Sequence, residues 1–177
     1  MWNLSCYGFV VALAIAIGCS SVPVEAATAV ATIKGTADSS LISGTATLTD
    51  TPDGLKVSVQ VANVTPGTHG IHIHQFGACH DAGNGAGGHY NPDGVKHGYL
   101  PKDGFTSAHA GDLGNIEIAA DGTGTLEAMV HGLTVTGGKY NVAGRSIILH
   151  EKPDDFGQPT GNAGGRIGCG IIVITSE

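Results

Sequence analysis

Seven side chains concentrate the chemistry of this sequence: His72, His74, His89, His97, His109, Asp112 and His150. They follow one another as H-x-H, fourteen intervening residues, H-x7-H, eleven more, H-x-x-D, and a distant His-Glu. Neutral imidazole is the commonest side-chain metal ligand. Seven donors are one short of two separate four-coordinate sites. A histidine with both ring nitrogens engaged closes that gap, so the arithmetic predicts a two-metal centre with a shared ligand. His89 lies between the two groups in sequence and is the natural bridge.

The two halves of the set differ in kind. His72 and His74 are two residues apart, so on a strand they share a face while Ile71 and Ile73 take the other. His150 adds a third nitrogen at the end of another apolar run. Three or four imidazoles around one ion suit copper, whose Cu(II) form prefers tetragonal nitrogen ligation. His97, His109 and Asp112 offer two nitrogens and a carboxylate, and with His89 they form a tetrahedral N3O set suited to zinc. The other three histidines stand outside this pattern. His69 reads as a structural hydrogen-bonding residue, and His80 and His131 read as surface residues.

The elements that must carry these donors read as strands. Leu55, Val57, Val59 and Val61 alternate with Lys56, Ser58 and Gln60. Leu126, Ala128 and Val130 alternate with Thr125, Glu127 and Met129. Period-two alternation with β-branched residues is the strand signal, and no helical period appears. The turn residues Pro52-Asp53-Gly54 and Asp121-Gly122 separate such runs. The pattern predicts eight strands: Val30–Gly35, Gly44–Thr49, Leu55–Val61, His69–Gln75, Asn115–Ala119, Thr123–Val130, Ser146–His150 and Gly170–Ile174. Two long segments, Phe76–Gly114 and Glu151–Gly168, interrupt them. A loop that long in a compact domain is usually functional, and the first holds four of the seven donors. The expected fold is all-β, a sandwich or barrel with its metal site on two long loops.

Composition narrows the partners. With 177 residues the chain makes one domain. A net charge of −7 without any basic run excludes nucleic acid and anionic membrane surfaces as partners. It also repels an anionic substrate at long range, so a site for one needs its own positive focus.

Residues 1–27 read as a leader and 28–177 as the mature domain. The apolar run Tyr7–Gly18 is too short to span a bilayer comfortably and is followed by small residues, as in a secretory signal. Two processing sites compete. Val24-Glu25-Ala26 suits cleavage before Ala27, whereas Ala16-Ile17-Gly18-Cys19-Ser20-Ser21 resembles a lipoprotein box that would acylate Cys19 and tether the protein to a membrane. Either way the chain is expected to be exported, to a periplasm or beyond the cell. Cys79 and Cys169 are then the only cysteines of the mature domain, and in an oxidising compartment such a pair is expected to form a disulfide.

Taken together, these residues resemble the copper,zinc superoxide dismutases, over essentially the whole mature chain. The motifs that carry the resemblance are Gly70-Ile71-His72-Ile73-His74, Gly88-His89-Tyr90-Asn91-Pro92, Lys96-His97-Gly98 and His109-Ala110-Gly111-Asp112-Leu113-Gly114-Asn115. Leu149-His150-Glu151-Lys152 and Gly161-Asn162-Ala163-Gly164-Gly165-Arg166, running on to Cys169-Gly170, complete them. The resemblance implies an eight-stranded Greek-key β-barrel. It implies copper on His72, His74, His89 and His150, and zinc on His89, His97, His109 and Asp112. It makes Cys79–Cys169 the family disulfide. Asp154 looks like the family aspartate that hydrogen-bonds the free nitrogens of His72 and His97, which would fix their tautomers.

Arg166 matches the family's active-site arginine, an always-charged fork of donors for a small anion. The implied activity is conversion of superoxide to oxygen and hydrogen peroxide by alternate reduction and oxidation of copper, with zinc structural and His89 supplying a proton. The chain departs from many relatives at Gln75, where they carry an acid, and in the short loop Asp155–Gly161, whose Gly-Gln-Pro-Thr stretch has no charge. The early position of Cys79 looks like the bacterial, exported branch. Dimer surfaces vary between branches, so homodimer and monomer both stay open.

Overall fold

The computed structural model describes residues 26–176. Residues 1–25, Cys19 among them, carry most of the leader reading and lie outside the described residues. Among the described residues no helix is long and apolar enough to cross a membrane.

Eight strands form: β1 Thr28–Gly35, β2 Ser43–Thr51, β3 Gly54–Ala62, β4 Gly67–His74, β5 Asp112–Ile118, β6 Gly124–Val130, β7 Ser146–His150 and β8 Arg166–Ser176. They close into one antiparallel barrel in the order β1-β2-β3-β6-β5-β4-β7-β8, with β8 pairing back on β1. Pairing of β3 with β6 and of β4 with β7 carries the chain across the barrel ends twice. A closed barrel leaves no unpaired sheet edge.

Alternation explains the interior. Leu55, Val57, Val59 and Val61 of β3 are buried, and Ala29, Ala31 and Ile33 of β1 join them in one core. Ile71, Ile73, Ile147 and Leu149 fill the same core from β4 and β7. Each such branched side chain, fully withdrawn from water, stabilises the fold by about 1.5–3 kcal/mol. Because Ile71 and Ile73 point inward, His72 and His74 must point outward. Yet both histidines are buried, because the long loops lie over them.

Two strand starts differ from the sequence reading by three residues or more, each for a tertiary reason, and the first long loop holds two short turns that the sequence did not show. β8 starts at Arg166 rather than near Gly170, because Arg166 pairs with His150 and Gly168 with Leu149. β5 starts at Asp112, paired with His72, rather than at Asn115. The first long loop contains a 3-10 turn, Asn84–Ala86, and a single-turn helix, α1 Leu100–Asp103, whose buried Leu100 plugs the core. Neither turn is long enough to leave a helical period in the sequence.

The disulfide Cys79–Cys169 ties that loop to β8, with the two Cα atoms 5.7 Å apart. It packs against Ala86 and Ile148 in a small cluster separate from the main core. A loop with little core of its own is thus held covalently to the strand that carries Arg166.

Candidate metal centre

Three adjacent strands and one loop supply the donors. His72 and His74 project from β4, His150 ends β7, and Asp112 opens β5 beside His72. His89 is set by a β-bridge to His74, in which Gln75 N–H donates to Gly88 O at 2.9 Å and Tyr90 N–H to Ile73 O at 2.9 Å. Ile73 N–H in turn donates to Gly111 O at 2.9 Å, and Gly111 N–H to Tyr90 O at 3.0 Å. Three segments therefore lock at one ring of backbone bonds, each residue of it next to a candidate ligand. Gly111 is required there, since a Cβ would lie 2.0 Å from Ile73 O.

The side chains meet in two neighbouring clusters. His72, His74, His89 and His150 offer nitrogens within 4.8 Å of one another, and His89, His97, His109 and Asp112 form a second such group. His89 belongs to both. All seven residues are buried.

The distal atoms of each ring decide which nitrogen is left for an ion. His74 Nδ1 donates to Gly87 O at 3.0 Å, leaving Nε2, which lies 3.3 Å from His150 Nε2. His89 Nδ1 sits 2.8 Å from Asp112 Oδ1 and 3.4 Å from His109 Nδ1, so this edge of the ring faces the second cluster and Nε2 faces the first. Asp112 Oδ2 accepts backbone N–H bonds from Gly98 at 3.0 Å and His109 at 2.8 Å, which orient the carboxylate.

Asp154 sits between the clusters. Its Oδ2 is 2.8 Å from His72 Nε2, and its Oδ1 is 2.9 Å from His97 Nε2. These lengths are those of hydrogen bonds, so the trio His72, His97 and Asp154, though close enough to hold an ion, is a link rather than a third site. The link leaves the Nδ1 atoms of both rings buried without a hydrogen-bond partner. His97 Nδ1 does lie 2.9 Å from Asp112 Oδ2, but not in hydrogen-bonding geometry. That is the spacing of two ligands around one ion. Asn115 fixes Asp154 from behind, donating to its carbonyl at 2.9 Å and accepting its N–H at 2.7 Å.

Electrostatics separates the rings. Burial pushes His74 down to about 2 and His150 to about 3, with neighbouring imidazoles and Arg166 adding to the effect. Burial also takes His89 down to about 4, although its bond to Asp112 opposes this. For His97 burial again disfavours the charge, but the Asp112 and Asp154 carboxylates outweigh it and raise the ring to about 9. Burial raises Asp112 and Asp154, yet their histidine and backbone donors outweigh it and hold both well below the ordinary carboxylate range. Neutral His74, His89 and His150 beside ionised carboxylates are the protonation states that metal binding needs, whereas His97 would have to give up a proton to an arriving ion.

Arg166 opens β8 opposite His150 and is partly buried. Its Nη1 donates to Gly83 O at 2.7 Å and its Nη2 to Gly87 O at 2.6 Å. Gly87 O also accepts from His74, so one carbonyl joins the arginine to the histidine cluster. His69 lies beneath, buried, with its ring nitrogens 2.8 Å from His150 O and 2.9 Å from Thr65 O. His80 and His131 are exposed and join neither cluster.

Residues 42–172 match the family model described as copper/zinc superoxide dismutase. The chain belongs to this family. A curated relative, the extracellular superoxide dismutase [Cu-Zn] of Caenorhabditis elegans, is 44% identical over 133 residues, which cover 70% of this chain. The chain spans about 57% of that relative's length. Among solved structures, that of the clock protein EA4 superposes with a TM-score of 0.74 at 32% identity, covering 86% of this chain and 97% of that one.

Copper/zinc superoxide dismutases are copper and zinc proteins, and the residues here fit both ions. The buried Nδ1 atoms of His72 and His97, without hydrogen-bond partners, point into separate donor sets. One set is all imidazole and the other contains a carboxylate, which matches the ligand preferences of copper and zinc.

Asn115 appears in the sequence motif but no role could be read for it. Gln158, which bonds the backbone of His97, left no signal at all. Both are carboxamides acting on main chain, a contact with no spacing rule.

Proposed function

We propose that the protein is an exported copper,zinc superoxide dismutase, converting two superoxide anions and two protons into oxygen and hydrogen peroxide. The observation that carries this reading is His89, which belongs to both four-donor clusters at once. In it, copper is held by His72, His74, His89 and His150, and zinc by His89, His97, His109 and Asp112. Bound copper supplies the one-electron exchange that the reaction needs, while zinc, which has no redox chemistry, supplies charge and geometry.

The chain's own residues do the rest. Arg166 docks the anion: its charge is permanent, it stands beside the His74–His150 edge, and it is the local positive focus that a chain of net charge −7 requires. Its bonds to Gly83 O and Gly87 O hold the guanidinium in one orientation. His89 Nε2 would hold one of the two protons only while it is not serving as a copper ligand, since Nδ1 is committed to the Asp112 side. Asp154 keeps protons on the Nε2 atoms of His72 and His97, so that both present Nδ1 as a ligand.

Export is supported by three observations of different kinds. The leader has an apolar run followed by small residues, the Cys79–Cys169 disulfide suits an oxidising compartment, and the nematode relative is named as extracellular. We place residues 1–27 in the leader and 28–177 in the mature domain. The processed protein is either free in the periplasm or medium, or, with processing at the lipoprotein box instead, tethered through acylated Cys19, and it works as a homodimer or a monomer. Intact mass of the mature protein separates cleavage before Ala27 from lipidation.

The activity test compares copper- and zinc-loaded protein with its His150→Ala variant in a superoxide-consumption assay. The proposal requires turnover in the first and its loss in the second, with zinc still bound. Metal-loaded protein that leaves superoxide untouched contradicts it.

A further inference from the structure

One loop grips His97 from several sides. Asp154 bonds its ring, as described above. Phe156 lies beside that ring, nearly parallel at 17° with centroids 6.4 Å apart, and its backbone takes a φ of 59° that bulky residues rarely adopt. The loop then returns so closely that a Cβ at Gly161 would meet Asp154 Oδ1 at 1.9 Å and His97 Nε2 at 2.7 Å.

Between these two points stands Gln158. Its Oε1 accepts the His97 N–H at 3.1 Å, and its Nε2 donates to His97 O at 2.8 Å. The carboxamide thus pairs with both main-chain groups of one residue, as a neighbouring strand would. Only this orientation of the amide satisfies both bonds, because the flipped one opposes donor to donor and acceptor to acceptor. His97 lies in an irregular stretch between His89 and α1, with no strand partner of its own. Its backbone is therefore positioned by a side chain from the other loop.

We propose that Gln158 is a positioning residue of the second cluster. By pairing with the His97 main chain it sets the ring between Asp154 on one side and the donor set of His89, His109 and Asp112 on the other, and so slows loss of the ion held there. The inference rests on the reading of that cluster as the zinc site. Residues that orient ligands from outside the donor set typically change metal affinity by about 10–100-fold. An exposed carboxamide in competition with water belongs at the low end.

The test uses the zinc-loaded full mature protein and its Gln158→Met variant, which keeps the side-chain length and removes both bonds. Zinc transfer to a chromogenic chelator should be about 10-fold faster in the variant. With Co(II) in place of zinc, the visible d–d bands should change in position or intensity, which a role confined to fold stability would not produce. The melting temperature of the metal-free variant should stay close to that of the parent. Unchanged zinc release together with an unchanged Co(II) spectrum overturns the proposal. Parent protein that holds no zinc contradicts instead the underlying reading of the site. Amide hydrogen exchange of the parent gives an answer without any variant: the His97 N–H must be protected, and free exchange there overturns the pairing.

Discussion

At the scale of single residues, Asp154 is the most informative. One carboxylate bonds a ring of each cluster, so it sets two tautomers together. Asp154→Asn keeps the size and cannot serve both rings equally, and copper affinity should fall by about 10–100-fold. Competition with a copper chelator measures this, and equal retention by both proteins would show that the link is dispensable. Arg166→Ala should slow turnover on the order of 10-fold or more and flatten its dependence on ionic strength, with metal content unchanged. Identical rates and identical salt dependence would contradict the docking role proposed for the arginine. That these seven side chains gather in two groups sharing His89 could be anticipated from the sequence, because their spacing is unusual. Gln158 and Asn115 could not, since carboxamides are common and their partners are main-chain atoms brought near by loop paths.

At the scale of elements, the strands were legible wherever one face is buried, as the alternation in β3 shows. Starts and ends were less so, because Asp112 and Arg166 join their strands through partners distant in sequence. The long loops carry no period and depend on staples. The Cys79–Cys169 bond, with a sequence separation of 90, should stabilise by about 4–5 kcal/mol in the chain-entropy model. For a domain of this size its reduction should lower the melting temperature by roughly 10–15 °C. Calorimetry with and without a thiol reductant checks this. An unchanged melt, with both thiols free by titration, would mean that the loop holds without its staple.

At the scale of the whole molecule, the fold holds a cluster of imidazoles away from water. In the metal-free protein, His74, His89 and His150 stay neutral down to about 2, 4 and 3, against 6.5 for the ordinary group. Below about 6.5 the unfolded chain takes up protons at these rings and the folded chain does not, so stability falls with pH. His97, raised to about 9, acts oppositely. Its contribution is complete below 6.5 and is lost as the pH rises through 9, so it gains little between pH 7 and 5. The metal-free melting temperature should therefore drop by roughly 5 °C or more between pH 7 and pH 5. A flat or rising profile would show that the rings are not held neutral. One ring, His89, belongs to both donor sets. Anomalous scattering at the copper and zinc edges, from a crystal loaded with both metals, tests this sharing most directly. It should locate copper among His72, His74, His89 and His150, zinc among His89, His97, His109 and Asp112, and the His89 imidazole between them. Two ions without a common histidine, or a single ion between the clusters, would contradict it.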